Sequence, residues 1–171
     1  MDQEKLKQIQ LLLLDVDGVL TDGGIIYDDH NVEIKIFNAK DGLGLRLLMD
    51  AGVQVGIVTG RAAPALRHRC ENLGIKLIFD GVTDKGAVVG AIEKQTGVTP
   101  DRMMFMGDDL PDLPLMKRVG VSASVADANP FVQAHAHIVT RAPGGRGAVR
   151  EICEAILTAR GVWDGLCRSY L

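Results

Sequence analysis

Apolar residues cluster in runs of strand length at 11–14, 53–58, 77–79, 103–106 and 119–125, with a weaker run at 137–139. None shows regular polar alternation, the pattern of strands buried on both faces. Segments with helical spacing lie between and after them, at 43–51, 62–73, 85–96, 112–118 and 148–159. Gly52, Gly74 and Gly97 follow three of these, where a left-handed residue ends a helix. The alternation predicts an α/β fold, a Rossmann-like parallel sheet with helices on both faces, in one domain over residues 1–171. One stretch, about residues 24–38, breaks the rhythm. Ile25-Ile26-Tyr27, a turn-forming Asp28-Asp29-His30-Asn31, and the alternating Val32-Glu33-Ile34-Lys35-Ile36-Phe37 predict a β-hairpin. An isolated hairpin is marginal in water, so it must pack on the domain or on another subunit.

Composition narrows the reading. Apolar residues make up 47% of the 171, charged residues 24% and aromatics 4%, which predicts a globular protein with an aliphatic core. A net charge of −3 argues against a nucleic-acid or anionic-membrane partner. No run reaches the length of a membrane span, and the first ten residues lack a signal-peptide pattern. Cys70, Cys153 and Cys167 are too widely spaced for a disulfide scaffold or zinc ribbon and fit a reducing, cytoplasmic setting. The tail from about 161–171, with Trp163 and Tyr170, is expected either to be disordered or to dock on a neighbouring subunit.

Aspartate is over-used, at 16 residues against 6 glutamates, and several aspartates directly follow apolar runs. In open parallel sheets, ligand sites form at the carboxyl ends of strands. Residues 11–22, LLLLDVDGVLTD, end a strand with Asp15 and Asp17 two apart, on one side of an extended chain. Two carboxylates so placed repel unless a cation sits between them or one is protonated. Chance gives D-x-D-G-x-x-T roughly once in 10^5 positions at average residue usage, which favours chemistry over an incidental turn. A second strand ends in Thr59-Gly60-Arg61, a hydroxyl with free amides at a strand-to-helix turn, able to cradle an anion. Asp84-Lys85 opens a helix, with Asp84 an expected N-cap. A fourth strand ends at Gly107, followed by Asp108, Asp109 and Asp112, an oxygen-rich set suited to Mg²⁺; Asp112 could instead cap the helix that follows. Together these strand ends hold the parts of phosphoryl transfer: a nucleophile, an acid/base, a hydroxyl, a cation and a metal pocket. His135 and His137 lack further ligands at metal spacing and read as structural imidazoles.

In order, D-V-D-G-V-L-T-D, V-T-G, Lys85 and G-D-D-x-x-D match the four motifs of the haloacid dehalogenase-like phosphohydrolases, and the resemblance spans about residues 11–126. It implies that Asp15 is the nucleophile and forms an aspartyl-phosphate. Asp17 would be the general acid and then the base, while Thr59 and Lys85 hold the phosphoryl group. Asp15, Asp108 and the Asp17 backbone carbonyl would bind Mg²⁺, with Asp109 and Asp112 as supporting acids. A response-regulator receiver uses similar groups but places its acidic pair and its phosphorylated aspartate on different strands.

Neither gap between motifs is long enough for a cap domain. The hairpin, residues 37–42, the 60–75 segment and the Gly144-Gly145-Arg146-Gly147 loop are similar to the capless, tetrameric branch that acts on 3-deoxy-D-manno-octulosonate 8-phosphate. The resemblance implies a homotetramer in which a neighbour closes each site, a small sugar-acid phosphate as substrate, and a place in lipopolysaccharide precursor synthesis. Arg61 separates relatives: octulosonate-type enzymes are basic there, nine-carbon sialic-type relatives acidic, and a guanidinium suits a sugar carboxylate. Gly23, Lys40, Gly60, Arg69 and Arg146 are further substrate-binding candidates, Arg69 reaching a neighbour's site. The alternatives are a phosphatase of a nine-carbon sialic-type acid 9-phosphate, a broad sugar phosphatase, and a non-catalytic oligomerisation module.

Overall fold

The computed structural model describes residues 3–171. Its elements run α1 (Gln3–Lys7), β1 (Leu11–Leu14), β2 (Ile26–Tyr27), β3 (Glu33–Ile34), α2 (Ala39–Asp50), β4 (Gln54–Val58), α3 (Pro64–Leu73) and β5 (Leu77–Phe79). There follow α4 (Val89–Thr96), β6 (Met103–Gly107), α5 (Leu113–Met116), β7 (Val121–Ser124), α6 (Pro130–Gln133), β8 (Ile138–Val139), α7 (Ala148–Ala159) and α8 (Trp163–Arg168). The main sheet has six parallel strands in the order β5-β4-β1-β6-β7-β8. Strand order reverses beside β1, so a crevice opens at its carboxyl end.

β1 is apolar at every position because both of its faces are covered. Leu12 and Leu14 point into one core layer with Leu45, Leu48, Ile152 and Ile156, while Leu11 and Leu13 enter the other with Phe105, Ile92 and Leu115. All four leucines are fully buried, and each contributes roughly 2 kcal/mol of hydrophobic stabilisation. α7 buries Val149, Ile152, Cys153, Ile156 and Leu157, the three-and-four spacing that packs one helix face. Among the described residues no helix is long and apolar enough to cross a membrane.

Several boundaries differ from the sequence reading. α2 begins at Ala39, not near 43, because Asn38 accepts from the Lys40 and Asp41 amides. The 85–96 segment opens with a 3-10 turn, Lys85–Val88, under the Asp84 cap expected there. Two short helices, α1 and α6, were not anticipated. The tail is ordered: α8 packs on its own subunit, where Trp163 and Leu166 meet the core and Arg150 lies 5.1 Å from the Trp163 ring centroid. The hairpin forms, but only Ile26 with Ile34 and Tyr27 with Glu33 are paired.

Candidate active site

The segment after β1 is held in a tight turn. The Val16 carbonyl accepts from the amides of Val19, Leu20 and Thr21, and from the Thr21 hydroxyl at 3.3 Å. Gly18 takes φ +87°, and a Cβ there would stand 2.1 Å from Asp108 Oδ2. Glycine therefore lets the β6 aspartate close on the β1 loop. The Gly144–Gly147 loop lies over the same turn; Gly145 donates to the Val19 carbonyl at 2.9 Å. Asn38 Nδ2 bonds the Gly145 carbonyl, and buried Asp41 accepts from the Gly147 and Arg150 amides at the start of α7.

A cleft of about 380 Å³ at the sheet's carboxyl end is lined by Asp15, Asp17, Gly23, Thr59, Gly60, Arg61, Lys85, Asp108, Asp109 and Asp112, with Val82 and Pro111. Ten of the thirteen sequence candidates thus converge. Asp15 and Thr59 are almost fully buried at the ends of β1 and β4. Lys85 sits between two acids, 2.9 Å from Asp15 Oδ1 and 2.5 Å from Asp112 Oδ1. Burial alone would lower the Lys85 pKa, but those two carboxylates override it and hold the ammonium above its usual range. Asp112 does not cap the following helix; its other oxygen accepts from the Asp108 and Asp109 amides at 2.8 and 3.2 Å. Asp109 is exposed, within 3.4 Å of Asn129 Nδ2.

Oxygens of Asp15, Asp108 and Asp112 lie within 4.8 Å of one another. Burial, then Asp112, pushes Asp15 up to about 6 against the pull of Lys85. Burial, then Asp112, Asp15 and Asp109, pushes Asp108 up to about 7. Asp15 Oδ1 is buried, with the Lys85 ammonium as its close charged contact. Three crowded, desolvated carboxylates around one ammonium are a donor set short of positive charge, and they fit a hard divalent cation such as Mg²⁺.

The hairpin adds a second charge cluster that the sequence reading missed. Lys35 Nζ lies 2.5 Å from Asp17 Oδ1 and 2.7 Å from Glu33 Oε1. Arg61 Nη2 bonds Glu33 at 3.1 Å and the Tyr27 hydroxyl at 2.8 Å, while its Nε faces Asp17 Oδ2 at 3.6 Å. Strand alternation was the available signal: Glu33 and Lys35 share the hairpin face opposite Ile34 and Ile36.

Three candidates lie outside the cleft. Lys40 is exposed at the start of α2. Arg69 bonds the Asn38 carbonyl of its own subunit at 3.1 Å, over the Phe37 ring. Arg146 is exposed, 3.8 Å from Asp22. His137 Nδ1 accepts from the Ser122 amide, a structural contact.

This geometry is matched by known proteins. A family profile described as haloacid dehalogenase-like hydrolase matches residues 77–152. The 3-deoxy-D-manno-octulosonate 8-phosphate phosphatase of Escherichia coli K12 is 42% identical over 160 residues, covering 94% of this chain and 85% of that protein. Its namesake from Haemophilus influenzae is 45% identical over 93% of this chain and 88% of its own. The crystal structure of the Moraxella catarrhalis phosphatase of that name, in complex with magnesium, phosphate and a KDO molecule, superposes with a TM-score of 0.96 at 37% identity, covering 99% of this chain and 97% of that one. With the acidic pair after β1, the hydroxyl after β4, the lysine after β5 and the acids after β6 all meeting in one cleft, the chain belongs to the haloacid dehalogenase-like hydrolases, in the family that includes the 3-deoxy-D-manno-octulosonate 8-phosphate phosphatases.

Proposed function

We propose that the protein hydrolyses 3-deoxy-D-manno-octulosonate 8-phosphate to the free sugar acid and phosphate, a step toward lipopolysaccharide, as one cytoplasmic domain. The observation that carries the reading is the convergence of Asp15, Asp17, Thr59, Lys85 and Asp108 on one cleft with Arg61 at its rim. Asp15 attacks phosphorus, and the bond to the sugar oxygen breaks as Asp17 gives that oxygen a proton. Water then adds to phosphorus, its proton passes to Asp17, and the Asp15 carboxylate is released. Thr59 and Lys85 bind the phosphoryl oxygens, and Lys85 also keeps Asp15 ionised and oriented. Asp15, Asp108 and the Asp17 carbonyl would hold Mg²⁺, which supplies charge neutralisation at the phosphoryl group. Asp112 sets Lys85 and the Asp108 amide.

The substrate choice rests on Arg61, whose partly exposed guanidinium faces the cleft and suits a carboxylate. Gly23 and Gly60 leave room beside it, and Lys40, Arg69 and Arg146 would act across a subunit boundary. Homotetramer formation belongs to the same proposal. Ile25, Ile26, Tyr27, Val32, Ile34 and Ile36 are 43–65% exposed on the hairpin, an apolar patch of the kind that marks an interface.

Phosphate release from a panel of sugar phosphates, with Mg²⁺ and with EDTA, tests the reading. The octulosonate 8-phosphate is expected to exceed a nine-carbon acid 9-phosphate by more than tenfold, with EDTA abolishing turnover. Equal rates across the panel would overturn the substrate assignment, and a stable, active monomer in sedimentation would overturn the tetramer.

A further inference from the structure

We propose that Lys35 is a positioning residue for proton transfer: from the hairpin it fixes the orientation of the Asp17 carboxylate, so the segment offered for subunit assembly also completes the acid/base group of its own site. This rests on the role given to Asp17 above.

Lys35 is buried on the hairpin face that turns toward the cleft. Its side chain is 2% exposed and that of Glu33 on the same face 13%, while Ile34 and Ile36 on the opposite face are 46% and 65% exposed. An ammonium is withdrawn from water on an otherwise solvated hairpin only where anions receive it. Two do so, Asp17 and Glu33, both within 2.7 Å.

The dependence runs the other way too. Among the described residues, the Asp17 carboxylate has one hydrogen-bond donor, Lys35, on Oδ1. Its Oδ2 is buried and accepts none, with Arg61 Nε still 3.6 Å away. Without Lys35 the nearest positive charge on the carboxylate is therefore the guanidinium, and swinging toward it would turn Asp17 from the reacting oxygen. Lys35 is itself held by Glu33, and Glu33 is braced by Arg61.

A proton from Asp17 matters when the leaving oxygen is an alkoxide and hardly at all when it is a nitrophenolate. Leaving-group dependence therefore separates positioning of an acid from a general structural defect. The experiment measures the first-step rate by rapid quench for Lys35→Met, Lys35→Gln and Asp17→Asn, with 3-deoxy-D-manno-octulosonate 8-phosphate and with p-nitrophenyl phosphate. General acid–base contributions run about 10^2 to 10^4, so loss of positioning should cost the sugar phosphate about 10- to 100-fold, while the aryl phosphate changes by less than about threefold. Both Lys35 variants are expected to show that ratio at an unchanged assembly state. Equal losses on both substrates, no loss on the sugar phosphate, or a loss that tracks only dissociation of the oligomer would overturn the proposal. Full sugar-phosphate turnover in Asp17→Asn would instead refute the role of Asp17 itself.

Discussion

Replacing Asp112 by alanine removes the joint on which the site's charges are set. Asp112 is 1% exposed and makes three contacts: Lys85 at 2.5 Å, and the amides of Asp108 and Asp109 at 2.8 and 3.2 Å. Removing one partner of a buried ion pair costs about 3–5 kcal/mol. The low end applies, because Lys85 keeps Asp15 at 2.9 Å. Leaving the two amides without their acceptor adds about 1–3 kcal/mol. Relief runs against this, since Asp112 is among the charges that push Asp15 to about 6 and Asp108 to about 7, and that relief is worth roughly 1–2 kcal/mol. The net is a loss of about 3 kcal/mol, or about 9 °C in Tm for a chain of this size. Thermal unfolding by circular dichroism in EDTA, beside phosphate release in Mg²⁺, provides the assay. Activity should fall at least about 100-fold, because Lys85 and Asp108 both lose their orientation. A Tm within 2 °C of wild type, or activity within threefold, would refute the argument that this carboxylate organises the cluster.

Asp108→Asn should act in the opposite direction on stability, raising the EDTA-state Tm at pH 8 by about 6 °C, for roughly 2 kcal/mol of relieved repulsion, while abolishing stabilisation by Mg²⁺; a lowered Tm would contradict it. The metal-free wild type should itself gain stability as pH falls from 8 to 5. Asp15 and Asp108 bind protons more tightly folded, near 6 and 7, than unfolded, near 3.8, and Glu33, held low by Lys35 and Arg61, opposes this only nearer its unfolded value of 4.5; a Tm that declines steadily over that window would exclude the crowding described. Gly144→Ala places a Cβ 1.8 Å from the Gly18 carbonyl oxygen, a backbone contact that cannot give way cheaply, so it should lose about 2 kcal/mol in urea unfolding and lower kcat; an unchanged midpoint would show that the two loops do not press on each other.

The parts legible in the sequence are those in which one local segment fixes both structure and chemistry. The leucine run of β1 is buried on both faces, so it had to bring Asp15 to the sheet's carboxyl end. Gly-Asp-Asp after β6 and Thr59 after β4 were readable for the same reason. What escaped depends on how distant segments fold together. Lys35 meets Asp17 across 18 positions, and only the path of the hairpin brings them together. Asp112 was expected as a supporting acid or, alternatively, a helix cap; what the sequence could not show is that its carboxylate turns back to the amides three and four residues before it. Asn38 and Asp41 lie in the 37–42 stretch, before the helix expected from 43, yet they clamp the Gly144–Gly147 loop more than 100 positions away. α1 and α6 are too short for periodicity to reveal.

The placement of β1 also sets a hierarchy of timescales. Its amides and carbonyls are shared with a parallel neighbour on each side, and all its side chains lie in the two core layers. Such a strand opens only in global unfolding, whereas a hairpin joined by two residue pairs opens locally and often. Deuterium would therefore enter residues 26–34 long before residues 11–14. On the proposed roles, the nucleophile Asp15 follows a slowly exchanging strand while Lys35, beside Asp17, sits on a segment that opens more readily, so the site would breathe for product release without the attacking carboxylate leaving its place.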